Sequence, residues 1–172
     1  MKYINKKLTI ENVKVQNIAK RYGTPAYCYS YNQLKENINN FKKSFKSFSP
    51  LICFAIKSNT NVNLITEIRK LGLGADVVSI GELMKALKAG IKPNKIVFSG
   101  VGKTAEEIKY AINKKILLIN AESKSEIFEI ERIAKKNKKI VNVGIRLNPN
   151  VDAKTLSQIS TGKKENKFGI GE

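Results

Sequence analysis

The 172-residue sequence contains no histidine and only two cysteines, Cys28 and Cys53. Without histidine, these residues can form neither a Ser-His-Asp triad nor the common zinc sites. Both cysteines lie among apolar residues and lack the spacing of metal ligands. We therefore expect no metal site and two reduced thiols in the core of a cytoplasmic protein.

Long hydrophobic runs are also missing. No window approaches the ~18 consecutive apolar residues that a membrane-spanning helix needs, so a membrane is not an expected partner. Residues 1–15 lack the apolar segment and small-residue cleavage site of a secretion signal. With 42% hydrophobic residues, the sequence suits one globular domain or part of a larger one.

Arginine is scarce, so the net charge of +18 comes almost entirely from lysine. The lysines are scattered along the chain and form no basic stripe interleaved with aromatic residues. Such a charge bears on solubility and non-specific contact more than on one partner. Nucleic acid is therefore not an expected partner, although a basic RNA-binding module remains an alternative.

Short apolar runs alternate with segments of helical periodicity. The runs predict strands at 25–30, 51–56, 74–79, 95–99, 116–120 and 140–147. The periodic segments predict helices at 31–48, 61–71, 80–89, 104–112 and 124–137, the fourth with a capping box of Thr104 and Glu107. This alternation predicts parallel βαβ units, in either a doubly wound open sheet or a (β/α)8 barrel.

No glycine-rich dinucleotide fingerprint follows the strand at 51–56, where the loop is "KSNTNVN". The glycines of "GLGADVVS" precede their strand instead of following it, so this near-match is rejected. The dinucleotide-binding form of the doubly wound sheet is therefore not supported.

Polar residues fall near the ends of the predicted strands. They are Lys57, Asp76, Ser79, Ser99, Asn120 and Arg146. In a (β/α)8 barrel the C-terminal ends of all strands face one mouth, where active sites are built. Asp76 and Arg146 are the stronger evidence for a site, because a charge inside an apolar run is costly to bury without a partner.

Lys57 ends the apolar run in "CFAIKSN". A lysine desolvated at the tip of a core strand loses its proton more easily and can act as a nucleophile. The alternative is that Lys57 is only the first polar residue past the strand and extends into solvent.

Several blocks of the sequence together resemble the diaminopimelate decarboxylases, which are pyridoxal-phosphate enzymes with an alanine-racemase-like barrel. The blocks are "YGTPAYCYS", "CFAIKSN", "GLGADVVSIGEL", "IVFSGVGKT", "INAES" and "IRLNPNVDAKT…ISTGKKENKFGI". The last block is the most specific for this family. The lysine-bearing strand is shared with ornithine, arginine and carboxynorspermidine decarboxylases.

The resemblance implies that Lys57 forms the Schiff base with pyridoxal phosphate and that Ala55, Asp76 and Arg146 lie beside this cofactor. It also implies a homodimeric bacterial enzyme of the cytoplasm, with a small amino acid as its substrate. The reaction would be decarboxylation of meso-2,6-diaminoheptanedioate to L-lysine, the last step of lysine biosynthesis. Another barrel-type amino-acid decarboxylase and a non-catalytic pyridoxal-phosphate carrier remain alternatives.

The sequence departs from the family pattern in two ways. Leu156, Ser157 and Gln158 stand where relatives often have His-Pro-Tyr. Family members also have three more βα units and a β-rich C-terminal domain. The resemblance thus implies a lead-in at 1–24 and, at 25–172, an incomplete α/β barrel with about five of eight strands. It further implies that these residues alone are inactive.

Overall fold

The computed structural model describes residues 1–45, 47–152, 154–156, 159–163 and 165–171. They form two compact units, Met1–Pro50 and Leu51–Glu172. The domain boundary between residues 24 and 25 stays a prediction. Among the described residues, no helix has the length and apolar character needed to cross a membrane.

The first unit contains a small antiparallel sheet and two helices. Its elements are β1 (Lys2–Ile4), β2 (Lys7–Ile10), β3 (Val13–Lys14), α1 (Val15–Tyr22) and α2 (Tyr31–Ser44). Asn5 and Lys6 connect β1 to β2, and their φ angles of 48° and 61° are those of a two-residue hairpin turn. The strand order is that of the chain, β1-β2-β3.

The predictions for this unit are confirmed only in part. Helix α2 lies within the predicted segment and begins after Ser30, whose side chain accepts a hydrogen bond from the Gln33 N–H. The strand predicted at 25–30 is wrong, because this segment forms no strand. Cys28 is exposed, so the prediction of a core thiol is wrong there. The sheet at residues 2–14 was not predicted.

The second unit is a five-stranded parallel sheet connected by helices. Its strands are β4 (Cys53–Ala55), β5 (Gly74–Val77), β6 (Ile96–Phe98), β7 (Leu118–Ala121) and β8 (Val143–Ile145). Its helices are α3 (Val62–Lys70), α4 (Ile80–Lys88), α5 (Ala105–Lys114) and α6 (Lys124–Lys136). The spatial order β4-β5-β6-β7-β8 follows the chain without the reversal of a doubly wound sheet. The prediction of the N-terminal part of a (β/α)8 barrel is therefore confirmed.

The two faces of this sheet lie in different environments, because successive side chains of a strand point to opposite faces. One face is fully buried against the helices by apolar side chains, among them Ala75, Val77, Ile96, Phe98 and Ile119. The other face is half-buried and includes Cys53, Ala55, Asp76, Val97 and Asn120. The polar residues near the strand ends are thus separated from the hydrophobic core.

Three helices of this unit begin at a hydroxyl residue. The side chains of Ser79, Thr104 and Ser123 each accept a hydrogen bond from the N–H three residues later, and the predicted capping box of Thr104 and Glu107 is confirmed. Ser79 therefore caps α4.

Burial acts to raise the pKa of Glu107, but hydrogen bonds from the Thr104 and Ile80 N–H groups outweigh it and lower that pKa.

Gly74 stands where β5 approaches other backbone too closely for a side chain. A Cβ there would overlap the Lys95 carbonyl oxygen and lie 3.0 Å from Cys53 Sγ. We expect Gly74→Ala in the whole protein to lower the free energy of unfolding by about 1–3 kcal/mol, because the clashing atom is backbone. The measurement is the urea midpoint.

Gly81→Ala is the matched control. Gly81 lies in the first turn of α4, and a Cβ there would have Ser79 Oγ as its nearest neighbour at 3.9 Å. Its midpoint should stay equal or rise slightly, because alanine favours helix. Equal midpoints for both variants would contradict the steric argument.

Candidate active site

A cavity of about 580 Å³ lies at the C-terminal edge of the parallel sheet. Its ionisable lining residues are Lys57, Asp76, Glu122 and Arg146, and Ser99, Asn120 and Phe168 also line it. The structure thus brings together three of the four site residues predicted from the sequence. Ala55 lies opposite Asp76 in the β4–β5 register, but it is not among the described residues that line the cavity.

Lys57 lies in a single 3₁₀ turn, Ile56–Ser58, directly after β4. Ile56 is fully buried and anchors the turn in the core, and Ser58 Oγ donates to the Ala55 carbonyl oxygen at 2.8 Å. Lys57 itself is exposed. The expectation of a desolvated lysine at a strand tip is therefore wrong for this chain, because the strand ends at Ala55 and Lys57 is past it.

Asp76 is held by a chain of hydrogen bonds across three neighbouring strand ends. Ser99 Oγ donates to Asp76 Oδ1 at 2.6 Å, and Asn120 Nδ2 donates to Ser99 Oγ at 3.1 Å. These bonds fix the position of the Asp76 carboxylate at the cavity wall.

Cys53 lies on the same face of the sheet and is half-buried. Burial raises the pKa of its thiol, and the negative charge of Asp76 raises that pKa further. A raised pKa disfavours the thiolate, which is the reactive form of cysteine. In the part of the chain that the structure describes, no three His, Cys, Asp or Glu side chains form a group that could hold a metal ion.

Arg146 forms an ion pair with Glu122, the residue directly after β7. Its Nη1 lies 3.1 Å and 3.2 Å from the two carboxylate oxygens. The side chain of Glu122 is 2% exposed and that of Arg146 is 37% exposed. The Arg146 guanidinium carbon also lies 4.8 Å from the centre of the Phe168 ring. The sequence analysis missed Glu122 and Phe168, although both lie in blocks quoted for the resemblance.

The buried lysine at this edge of the sheet is Lys103. Its side chain is 1% exposed and forms an ion pair with Glu126 at 2.7 Å. Its Nζ also donates to the carbonyl oxygens of Gly100 and Asn120, both at 2.7 Å. Lys103 therefore connects the loop after β6 to the end of β7 and to α6. No sequence pattern distinguished it from the other lysines.

The model of the family "Pyridoxal-dependent decarboxylase, pyridoxal binding domain" matches residues 31–172. The chain belongs to this family. Membership implies pyridoxal phosphate as the cofactor of the domain.

Within this family the chain is similar to diaminopimelate decarboxylases. It is 50% identical to that of Helicobacter pylori (strain J99) over 157 residues, which covers 91% of this chain and 39% of the relative. It is 44% identical to that of Aquifex aeolicus over 170 residues, covering 99% and 40%. The crystal structure of the Helicobacter pylori enzyme complexed with L-lysine matches with a TM-score of 0.89 and 47% identity, covering 92% of this chain and 40% of that chain. The chain thus spans about two fifths of the length of these relatives.

The residues at the cavity fit pyridoxal phosphate. The exposed Lys57 amine is accessible to an aldehyde, and Lys57 and Arg146 place two cations beside a space within the ~300–1,000 Å³ of small-molecule sites. Asp76 adds a fixed carboxylate. This set of donors and acceptors suits a cofactor that has an aldehyde, a phosphate and an ionisable ring.

The sequence departs from the family pattern at residues 156–158, and the structure describes only the first of these three residues. Leu156 is 72% exposed, whereas Ser157 and Gln158 lie outside the described residues. Leu156 is not among the described residues that line the cavity.

Proposed function

We propose that this chain is the pyridoxal-binding part of a decarboxylase that converts meso-2,6-diaminoheptanedioate to L-lysine and CO2. The observation that carries the proposal is an exposed lysine in one cavity with Asp76 and Arg146, in a domain of this family. The identities of 50% and 44% to diaminopimelate decarboxylases support the choice of substrate.

Pyridoxal phosphate, when bound, supplies the electron sink that stabilises the carbanion left by loss of CO2. Lys57 would hold the cofactor covalently through Nζ, which must first give up a proton to act as a nucleophile. Its exposed position would leave this attachment point accessible to the amino group of a substrate.

Other residues orient the cofactor and balance its charge. Asp76, fixed by Ser99, presents a carboxylate that can accept a hydrogen bond. Arg146 presents a cation that can bind an anionic group in the cavity. Ala55, opposite Asp76 in the register, leaves room on that face because its side chain is a single methyl group.

The family resemblance alone supports two further parts of the proposal, which are that the whole protein is a homodimer and that it acts in the cytoplasm. Equilibrium sedimentation of the purified whole protein would test the first of these. Fractionation of the cells that produce it would test the second.

The proposed reaction is tested by an assay of the purified whole protein with pyridoxal phosphate. We expect meso-2,6-diaminoheptanedioate to yield L-lysine and CO2 in equal amounts, with no comparable turnover of L-ornithine or L-arginine. Preference for ornithine or arginine would assign the chain to another decarboxylase. Cofactor binding without turnover of any of the three would favour a carrier protein.

A further inference from the structure

Glu122 connects segments that are distant in sequence. Its carboxylate accepts hydrogen bonds from the Gly100 N–H at 2.9 Å and from the Gly169 N–H at 3.2 Å, in addition to those from Arg146. Three of the blocks that resemble the family therefore meet at one side chain: "IVFSGVGKT", "INAES" and both ends of "IRLNPNVDAKT…ISTGKKENKFGI". The proposed reaction gives Glu122 itself no role.

The carboxylate of Glu122 is almost completely removed from water, with 2% of its side chain exposed. An isolated buried carboxylate is costly, whereas one that accepts from a guanidinium and two backbone N–H groups is stabilised. Every hydrogen bond that it makes through its oxygens in the described part of the chain is one that it accepts. Glutamine could not replace it without pointing an amide N–H at one of these donors.

Arg146 is held on one side only. Within the described part of the chain, Nη1 is the only nitrogen of the Arg146 guanidinium that makes a hydrogen bond, and both of its acceptors are oxygens of Glu122. The other two nitrogens of Arg146 have no acceptor among the described residues and could bind an anionic group in the cavity that Arg146 lines. Because Nη1 is held by both oxygens of Glu122 and the Phe168 ring lies against the guanidinium plane, the orientation of Arg146 toward the cavity is restricted.

The segment with Phe168 is held by the same carboxylate. Gly169 has a φ of 76°, and a Cβ there would lie 3.0 Å from the Arg146 carbonyl oxygen. Glycine permits this approach, which places the Gly169 N–H on Glu122. The Phe168 ring then lies against the Arg146 guanidinium at 4.8 Å, an arrangement that cation–π attraction favours.

We propose that Glu122 is a positioning residue that fixes Arg146 and the loops of Gly100 and Gly169 around the cavity, so that Arg146 meets the cofactor already oriented. This inference rests on the proposed role of Arg146 at the pyridoxal-phosphate site. Glu122 acts through Arg146 and the two loops and takes no part in the chemistry.

The test uses the whole protein, stripped of cofactor, with the variants Glu122→Gln, Arg146→Lys and both together. We expect Glu122→Gln to raise the dissociation constant of pyridoxal phosphate about tenfold, the effect of losing one charged hydrogen bond. The double variant should bind no more weakly than Arg146→Lys alone, because Glu122 acts through Arg146. Glu131→Gln, which breaks the exposed Lys135–Glu131 pair on α6, is the matched control and should leave affinity unchanged.

Amide hydrogen exchange supplies a readout that needs no cofactor. In Glu122→Gln, peptides that contain Gly100 and Gly169 should exchange faster, while peptides from β5 and β6 keep their protection. Faster exchange throughout the sheet, or additive losses of affinity in the double variant, would overturn the proposal in favour of a purely structural role. If Glu122→Gln does not fold, Glu122→Asp replaces it in the same cycle. Unmodified protein that binds no pyridoxal phosphate would overturn the proposed function, whereas turnover of a different amino acid would leave this inference standing.

Discussion

Lys57→Ala in the whole protein is expected to abolish decarboxylation, with a loss of about 10³-fold or more, and to abolish covalent retention of pyridoxal phosphate. The physical reason is that no other side chain lining the cavity in the described part of the chain is a primary amine. The unfolding midpoint should hardly change, because Lys57 is exposed. The measurements are turnover and, after borohydride reduction of the unmodified protein, peptide mass mapping.

The controls separate chemistry from charge. Lys57→Arg keeps the positive charge but should be as inactive as Lys57→Ala, because a guanidinium stays protonated. Lys88→Ala removes an exposed lysine from α4 and should keep full activity. A reduced cofactor mass spread over several lysines would contradict the assignment of Lys57.

Lys103→Met in the whole protein is expected to lower the free energy of unfolding by about 3–5 kcal/mol, as for other buried ion pairs that lose one partner. The substitution leaves the Glu126 carboxylate, 9% exposed, without its cation. It also removes the Lys103 amine that donates to the Gly100 and Asn120 carbonyl oxygens, each at 2.7 Å. The measurement is the urea midpoint with its slope.

Two further variants isolate the cause. The double variant Lys103→Met/Glu126→Gln should recover part of the lost stability, because it removes the unpaired charge while an amide oxygen can still accept from the Glu122 N–H. Lys135→Met breaks an exposed ion pair on α6 and should cost less than about 1 kcal/mol. Equal losses for Lys103→Met and Lys135→Met would show that the burial of Lys103 does not matter.

Apolar runs and helical periodicity were sufficient to predict the strands and helices of the second unit, but not to choose between an open sheet and a barrel. Four of the five apolar runs from residue 51 onward contain a strand, and β7 passes the end of its run by one residue. The ends of the four intervening helices lie within one or two residues of their predicted segments. Asp76 and Arg146 could be predicted as site residues because a charge inside an apolar run is best accommodated at a strand end that faces a polar cavity. The resemblance to a family added the role of Lys57, which its exposure alone would not indicate.

The residues that the sequence analysis missed depend on contacts between distant loops. Glu122 follows an apolar strand and precedes the capping residue Ser123, so in sequence it has the place of an ordinary loop residue just before a helix. Lys103 is one lysine among many, and its burial depends on Glu126 and two carbonyl oxygens that only the fold brings together. The β1–β2 hairpin was missed because its turn residues, Asn5 and Lys6, lack the glycine that usually indicates such a turn.

The order of the parallel strands has a consequence for how this unit forms. Each strand from β5 to β8 pairs with the strand that precedes it in the chain, so every new strand finds its neighbour already made. Each of these pairings therefore spans only one intervening helical segment of the chain. As residues leave the ribosome, the sheet can grow by one βα unit at a time, in the manner of a repeat protein. A defect in β5 would then affect its pairing with both β4 and β6, whereas a defect in β8 would leave the earlier strands assembled.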